Sequence, residues 1–78
     1  MAYLSAQEQL KLLALKEQQI TMLREQHHRI ERRAHLLARR APAQILNRYT
    51  EEIDETNETL RRIGAEIDYL LAVQHAGN

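Results

Sequence analysis

Two apolar stripes, each stepping three then four residues, run along this chain and fall out of phase at Pro42. The first takes Leu13, Lys16, Ile20, Leu23, His27, Ile30, Ala34, Leu37 and Ala41. The second takes Leu46, Tyr49, Ile53, Thr56, Leu60, Ile63, Ile67, Leu70 and Gln74. Either alone has the period of a coiled-coil seam. One straight helix would carry the first stripe onto Gln44, Arg48 and Glu51, all polar. The seam resumes two positions later instead, beyond a proline, which a single helix kinked at Pro42 does not explain. The sequence therefore predicts an all-α, antiparallel, coiled-coil-like two-helix hairpin, with helices over about 6–40 and 43–75 in a single domain over 1–78.

Local signals agree with that division. Ser5-Ala6-Gln7-Glu8 has the spacing of a capping box, in which the Ser5 hydroxyl and the Glu8 carboxylate each satisfy the other's backbone N–H. From there to Arg40 the chain holds no Gly or Pro and is rich in Leu, Ala, Glu, Gln, Lys and Arg, which are strong helix formers. Arg39 and Arg40 put positive charge at the helix C-terminus. Pro42 suits the first position of the second helix, leaving Ala41 as a poor N-cap. Gly64 is the weak spot inside helix 2, and Gly77 is the expected terminator.

A chain of 78 residues has room for one small core. A domain of this size gains only about 3–5 kcal/mol from its own packing. It has no Cys, Trp or Phe, which excludes disulfide staples, thiolate-held zinc and a bulky aromatic core. Association with itself or with a partner is the remaining way to gain stability. Eleven basic and eleven acidic side chains balance overall. Residues 1–41 nevertheless carry eight basic groups against four acidic ones, and residues 42–78 three against seven, so the two arms attract. No apolar run approaches the roughly 20 residues of a membrane span, and the opening Met-Ala-Tyr-Leu-Ser lacks the pattern of a signal peptide. A soluble cytoplasmic protein with no membrane contact is expected.

Pairing Ala41 with Leu46 across the turn sets the layers Leu37/Tyr49, Ala34/Ile53, Ile30/Thr56, His27/Leu60, Leu23/Ile63, Ile20/Ile67, Lys16/Leu70 and Leu13/Gln74. Arg33 then falls near Glu52, and Leu12 near Val73. On this register His27 is a seam histidine, and Lys16 snorkels outward. Apolar residues left off the seam gather at the open end, and Leu10, Leu12, Leu15, Met22, Tyr69, Leu71 and Val73 become the expected partner-binding surface. The competing expectation is that Tyr3 and Leu4 fold back over it.

Little in the chain points to chemistry. His28 and His35 lie about 10 Å apart along a helix, too far to share an ion. Glu25-Gln26-His27-His28 is half of a carboxylate-bridged metal motif with no second half. Neither a Gly-rich phosphate loop nor a nucleophile beside a base occurs, so no catalytic residue, metal or cofactor is expected. Arg24, His28, Arg32, His35 and Arg39 form a line on one helix face that could track phosphates, interrupted by Glu25 and Glu31.

The hairpin plan, the absence of cysteine, and the turn segment Ala41-Pro42-Ala43-Gln44-Ile45-Leu46-Asn47-Arg48-Tyr49 resemble the small two-helix co-chaperones of bacterial type III secretion systems. The likeness spans most of the chain and is one of architecture. It implies a non-enzymatic adaptor or chaperone that helps keep a needle subunit soluble in the cytoplasm. The partner is then another helical protein, with self-association as a further expectation. Two alternatives follow from the same residues. One is a dimeric four-helix bundle similar to the small plasmid copy-control RNA binder, with Arg24, Arg32 and Arg39 on the nucleic acid. The other is a phage-type inhibitor docking on a host protein.

Overall fold

A computed structural model of the chain describes residues 4–76, and among these the architecture is two helices and a turn. Helix α1 spans Ala6–Ala38 and α2 spans Ala43–Ala76, packed side by side as a hairpin about 58 × 17 × 15 Å. Tyr3 and Gly77, to which the sequence assigned a covering and a terminating role, lie outside the described residues.

The capping box forms as its spacing requires. The Glu8 amide donates to Ser5 Oγ at 3.1 Å, and the Ser5 amide donates to Glu8 Oε1 at 3.0 Å. At the other end of α1 the chain closes with paired bonds from the Ala41 amide to the Leu36 carbonyl (2.9 Å) and from the Arg40 amide to the Leu37 carbonyl (3.0 Å). This is a Schellman closure, which needs a left-handed residue just past the helix. Arg40 takes that place with φ 58°, where glycine is the usual occupant. The sequence contained no glycine to advertise this stop.

Pro42 sits one position earlier than the sequence suggested. Its carbonyl accepts from the Leu46 amide at 3.3 Å, which makes Pro42 the capping residue and Ala43 the first residue of α2. No acidic side chain occupies the first turn. The corner is therefore held by the α1 closure and by interhelix packing.

The α2 seam is as the sequence reads. Thr56, Ile63, Ile67 and Leu70 are buried, and Leu46, Tyr49, Ile53 and Leu60 are half-buried. Only Gln74 at the far end is exposed. On α1 the expected seam is corrected. The residues facing α2 are Leu12, Leu15, Gln19, Met22, Gln26, Arg29, Arg33 and Leu36, each one position before its expected counterpart. A shift of one residue is a rotation of about 100° around the helix axis. The layers drawn from Leu13 to Leu37 consequently do not form, and Leu13, Lys16, Ile20, Leu23, His27, Ile30, Ala34 and Leu37 are all exposed.

The cause is polar. Toward the turn, α1 carries long donors whose tips reach acceptors on α2. Gln26 Nε2 donates to the Ile53 carbonyl and to Asn57 Oδ1, both at 2.8 Å. Arg29 donates to Thr56 Oγ1 and Arg33 to Thr50 Oγ1, both at 2.9 Å. Arg33 therefore bonds Thr50 rather than lying near Glu52, and it is Arg29 that approaches Glu52, at 3.9 Å. These bonds are directional, and only one rotation of α1 satisfies them together. Toward the open end the same rotation buries Leu12 and Leu15 with Leu4, Ile63, Ile67 and Leu70.

Candidate functional site

The rotation of α1 decides which surface is left over. Leu13, Ile20, Leu23, Ile30 and Leu37 are each between 50% and 54% exposed. They lie on one helix face at intervals of seven, three, seven and seven residues, and 24 residues at 1.5 Å make that face about 36 Å long. Lys16, His27 and Ala34 fill the intervening seam positions and are exposed as well. Shallow grooves open along the strip, one beside Ile20, Leu23 and His27, another where Ile30, Ala34 and Leu37 meet Thr50 and Ile53. A helix face this apolar and regular normally meets another helix.

The open-end residues singled out from the sequence divide into two groups. Leu12 and Leu15 belong to the core, with Met22, Leu71 and Val73 half-buried against it. Leu4 completes the same cluster from outside α1. The surplus apolar surface at that end is thus largely covered from within the chain, by α2 against the rotated face of α1 and by Leu4 beside it. Leu10 and Tyr69 remain open, at 67% and 66%.

His27 is also corrected. It stands on the surface rather than in a layer opposite Leu60, and its Nε2 lies 2.8 Å from Glu31 Oε1 one turn on. His28 and His35 are exposed, and no group of three or more potential ligands gathers among the described residues. The basic line is real as geometry: Arg24, His28, Arg32, His35 and Arg39 are all exposed, and a shallow groove runs between His28 and Arg39. Arg32 Nε donates to the Tyr49 hydroxyl at 3.0 Å, while Arg24, Arg32 and Arg39 have no carboxylate within ion-pairing distance among the described residues.

Among the described residues, two ionisable groups depart from ordinary behaviour, and both are structural. The Ser5 amide and hydroxyl hold the Glu8 carboxyl below the usual carboxylate range. The 2.7 Å bond to Glu66 raises the Lys11 ammonium and ties α1 to α2 across the open half. No helix among the described residues is long and apolar enough to cross a membrane.

Comparison with protein-family models, with curated proteins and with solved structures finds no match. Sequence reasoning found the stripe but assigned it to the core. The signal that would have placed it outside was the matching ladder of donors at Gln26, Arg29 and Arg33 and acceptors at Thr50, Ile53, Thr56 and Asn57.

Proposed function

We propose that this chain is a non-enzymatic protein-binding adaptor or chaperone that holds an amphipathic helix of another protein against the exposed face of α1. The single observation that carries this reading is the uncovered strip from Leu13 to Leu37. Burying the remaining half of each of its five aliphatic side chains is worth about 1 kcal/mol apiece before ordering costs. The apolar face of a docked helix buries a matching area in return, and the two contributions together offset the cost of association by a margin small enough for release, which is what a soluble holder of an aggregation-prone partner requires. Leu10 continues the strip toward the open end, whereas Tyr69 stands one turn from Glu66 on the side of the Lys11–Glu66 pair. In its narrowest form the reading is a cytoplasmic co-chaperone of a type III secretion needle subunit, which rests on the resemblance of the hairpin and its Ala41–Tyr49 turn segment.

The test is a titration of the partner protein against the wild-type chain and Leu23→Glu. Leu23 lies outside the interhelix core, so helicity should be unchanged while affinity falls by about 100-fold. A Leu23→Glu chain that binds the partner as well as wild type rejects this face. The unpaired row of Arg24, Arg32 and Arg39 favours one rival, an RNA contact. RNA binding that weakens steeply with salt, and further in Arg32→Ala, would replace the adaptor reading. A protein complex that survives high salt supports it.

A further inference from the structure

We infer that the exposed face of α1 is where two copies of this chain pair, α1 against α1 and antiparallel, with the two-fold axis level with residue 25. This deepens the adaptor reading by naming what covers the face before a partner arrives, and it can fail separately from that reading.

The first support is the self-complementarity of the strip. Positions 13, 16, 20, 23, 27, 30, 34 and 37 are symmetric about residue 25. Antiparallel pairing therefore sets Leu13 against Leu37 of the second copy, Lys16 against Ala34, Ile20 against Ile30 and Leu23 against His27, each layer occurring twice. Aliphatic meets aliphatic of similar volume in the first and third layers. Lys16 faces the smallest side chain of the strip, which leaves its stem room to lie flat and its ammonium room to reach water. Parallel pairing would instead stack Lys16 on Lys16 and His27 on His27, forcing two like charges into one layer. Antiparallel pairing in this register uses all eight positions and avoids that repulsion.

The second support is area. The chain exposes 6187 Å² at a mass of 9.2 kDa. A monomeric protein of that mass exposes about 4,900 Å². The excess, on the order of 1,300 Å², follows from a rod 58 × 17 × 15 Å in extent, whose long sides leave room for the roughly 800 Å² that each partner contributes to a standard interface. Among the described residues, five of the eight exposed large hydrophobic side chains line the roughly 36 Å face of α1, which is where such a contact would form.

The third support is the asymmetry between the helices. α2 has a single apolar seam, already turned toward α1. On either side of it run Glu52, Glu55 and Arg62, or Asp54, Arg61 and Asp68, all exposed. α1 alone has two seams, about 100° apart, which is the geometry of a helix with two helical neighbours. The second neighbour must therefore meet α1.

The experiment is the mass of the full chain by sedimentation equilibrium across roughly 1 to 200 μM, for wild type, I20E, I30K and the I20E/I30K double variant. The wild type should approach twice 9.2 kDa as concentration rises. Each single variant should raise the dimer dissociation constant by at least about 100-fold, with far-ultraviolet circular dichroism unchanged because neither position lies in the interhelix core. The double variant should regain the dimer, since the new carboxylate at position 20 then faces the new ammonium at position 30 of the other copy. A wild-type chain that stays monomeric throughout overturns the inference, as does a dimer indifferent to I20E. Single variants that dissociate and a double variant that also stays monomeric overturn the antiparallel register. A monomer that still loses a protein partner on Leu23→Glu removes the homodimer and leaves the adaptor reading standing. Protein that remains monomeric while retaining RNA removes both.

Discussion

The open half of the hairpin and the turn half are joined by different forces. At the open half, Leu4, Leu12, Leu15, Ile63, Ile67 and Leu70 make an aliphatic core, with Met22, Leu71 and Val73 around it. At the turn half the buried residues are Gln26 and Thr56, and the helices are linked by side-chain hydrogen bonds from Gln26, Arg29 and Arg33. Apolar burial scales with area and tolerates rotation, whereas a hydrogen bond loses its worth within a few tenths of an ångström or a few tens of degrees. The open half therefore supplies most of the stability, and the turn half selects the rotation of α1. That selection has a consequence for function. By turning its polar donors inward, α1 turns five large aliphatic side chains outward.

Substitutions in the two halves should separate these roles. The largest effect is expected for Leu70→Ala, which removes the most deeply buried of the core side chains. It should cost about 2–5 kcal/mol, comparable to the whole stability of so small a domain, and urea titration should show the chain largely unfolded. Gln26→Leu in the turn half should change stability by no more than about 1 kcal/mol. Two donated bonds disappear, but so does the buried Gln26 Oε1, which has no hydrogen-bond partner. A loss as large as that of Leu70→Ala would show the turn half to be the main source of stability, reversing the comparison. Gln26→Leu should also loosen the choice of rotation, seen as broader methyl signals from Ile20 and Leu23.

The smallest effect concerns the capping box and pH. The Glu8 carboxyl titrates lower in the folded chain than when unfolded, so its contribution is present above the ordinary value of 4.5 and fades as pH falls through the depressed folded value. Acidification should fray the first turn of α1, with amide exchange at Glu8 and Gln9 rising first. Glu8→Gln should flatten that dependence. A chain whose first-turn exchange ignores pH over this range would show that the box contributes nothing.

Much of the hairpin was readable because its signals are local or periodic. Ser5 and Glu8 announce a helix start at fixed spacing, and the α2 seam is apolar where it faces α1 along almost its full length. The two-position slip at Pro42 marks the reversal without any knowledge of contacts. The rotation of α1 was not readable by the same means. A hydrophobic period counts Gln26, Arg29 and Arg33 as outward-facing, yet their stems lie along α2 and their tips meet Thr50, Ile53, Thr56 and Asn57. The same bias moved the expected contact surface. Leu12 and Leu15 are surplus only if Leu13, Ile20 and Leu23 fill the core, and those three are exposed. The left-handed stop at Arg40 was hidden for another reason, since no glycine stands there and the bonds that close the helix come from Ala41 and from Arg40 itself.

The rotation of α1 is tested most directly by methyl nuclear Overhauser contacts in a sample that mixes isotope-labelled and unlabelled chains, so that contacts within one molecule are separated from contacts between copies. Leu15 should show intramolecular cross-peaks to the Ile63, Ile67 and Leu70 cluster, while Ile20 and Leu23 should show none to α2. Intramolecular contacts from Ile20 to Ile67 and from Leu23 to Ile63, with Leu15 silent, would contradict the account by returning the exposed strip to the core.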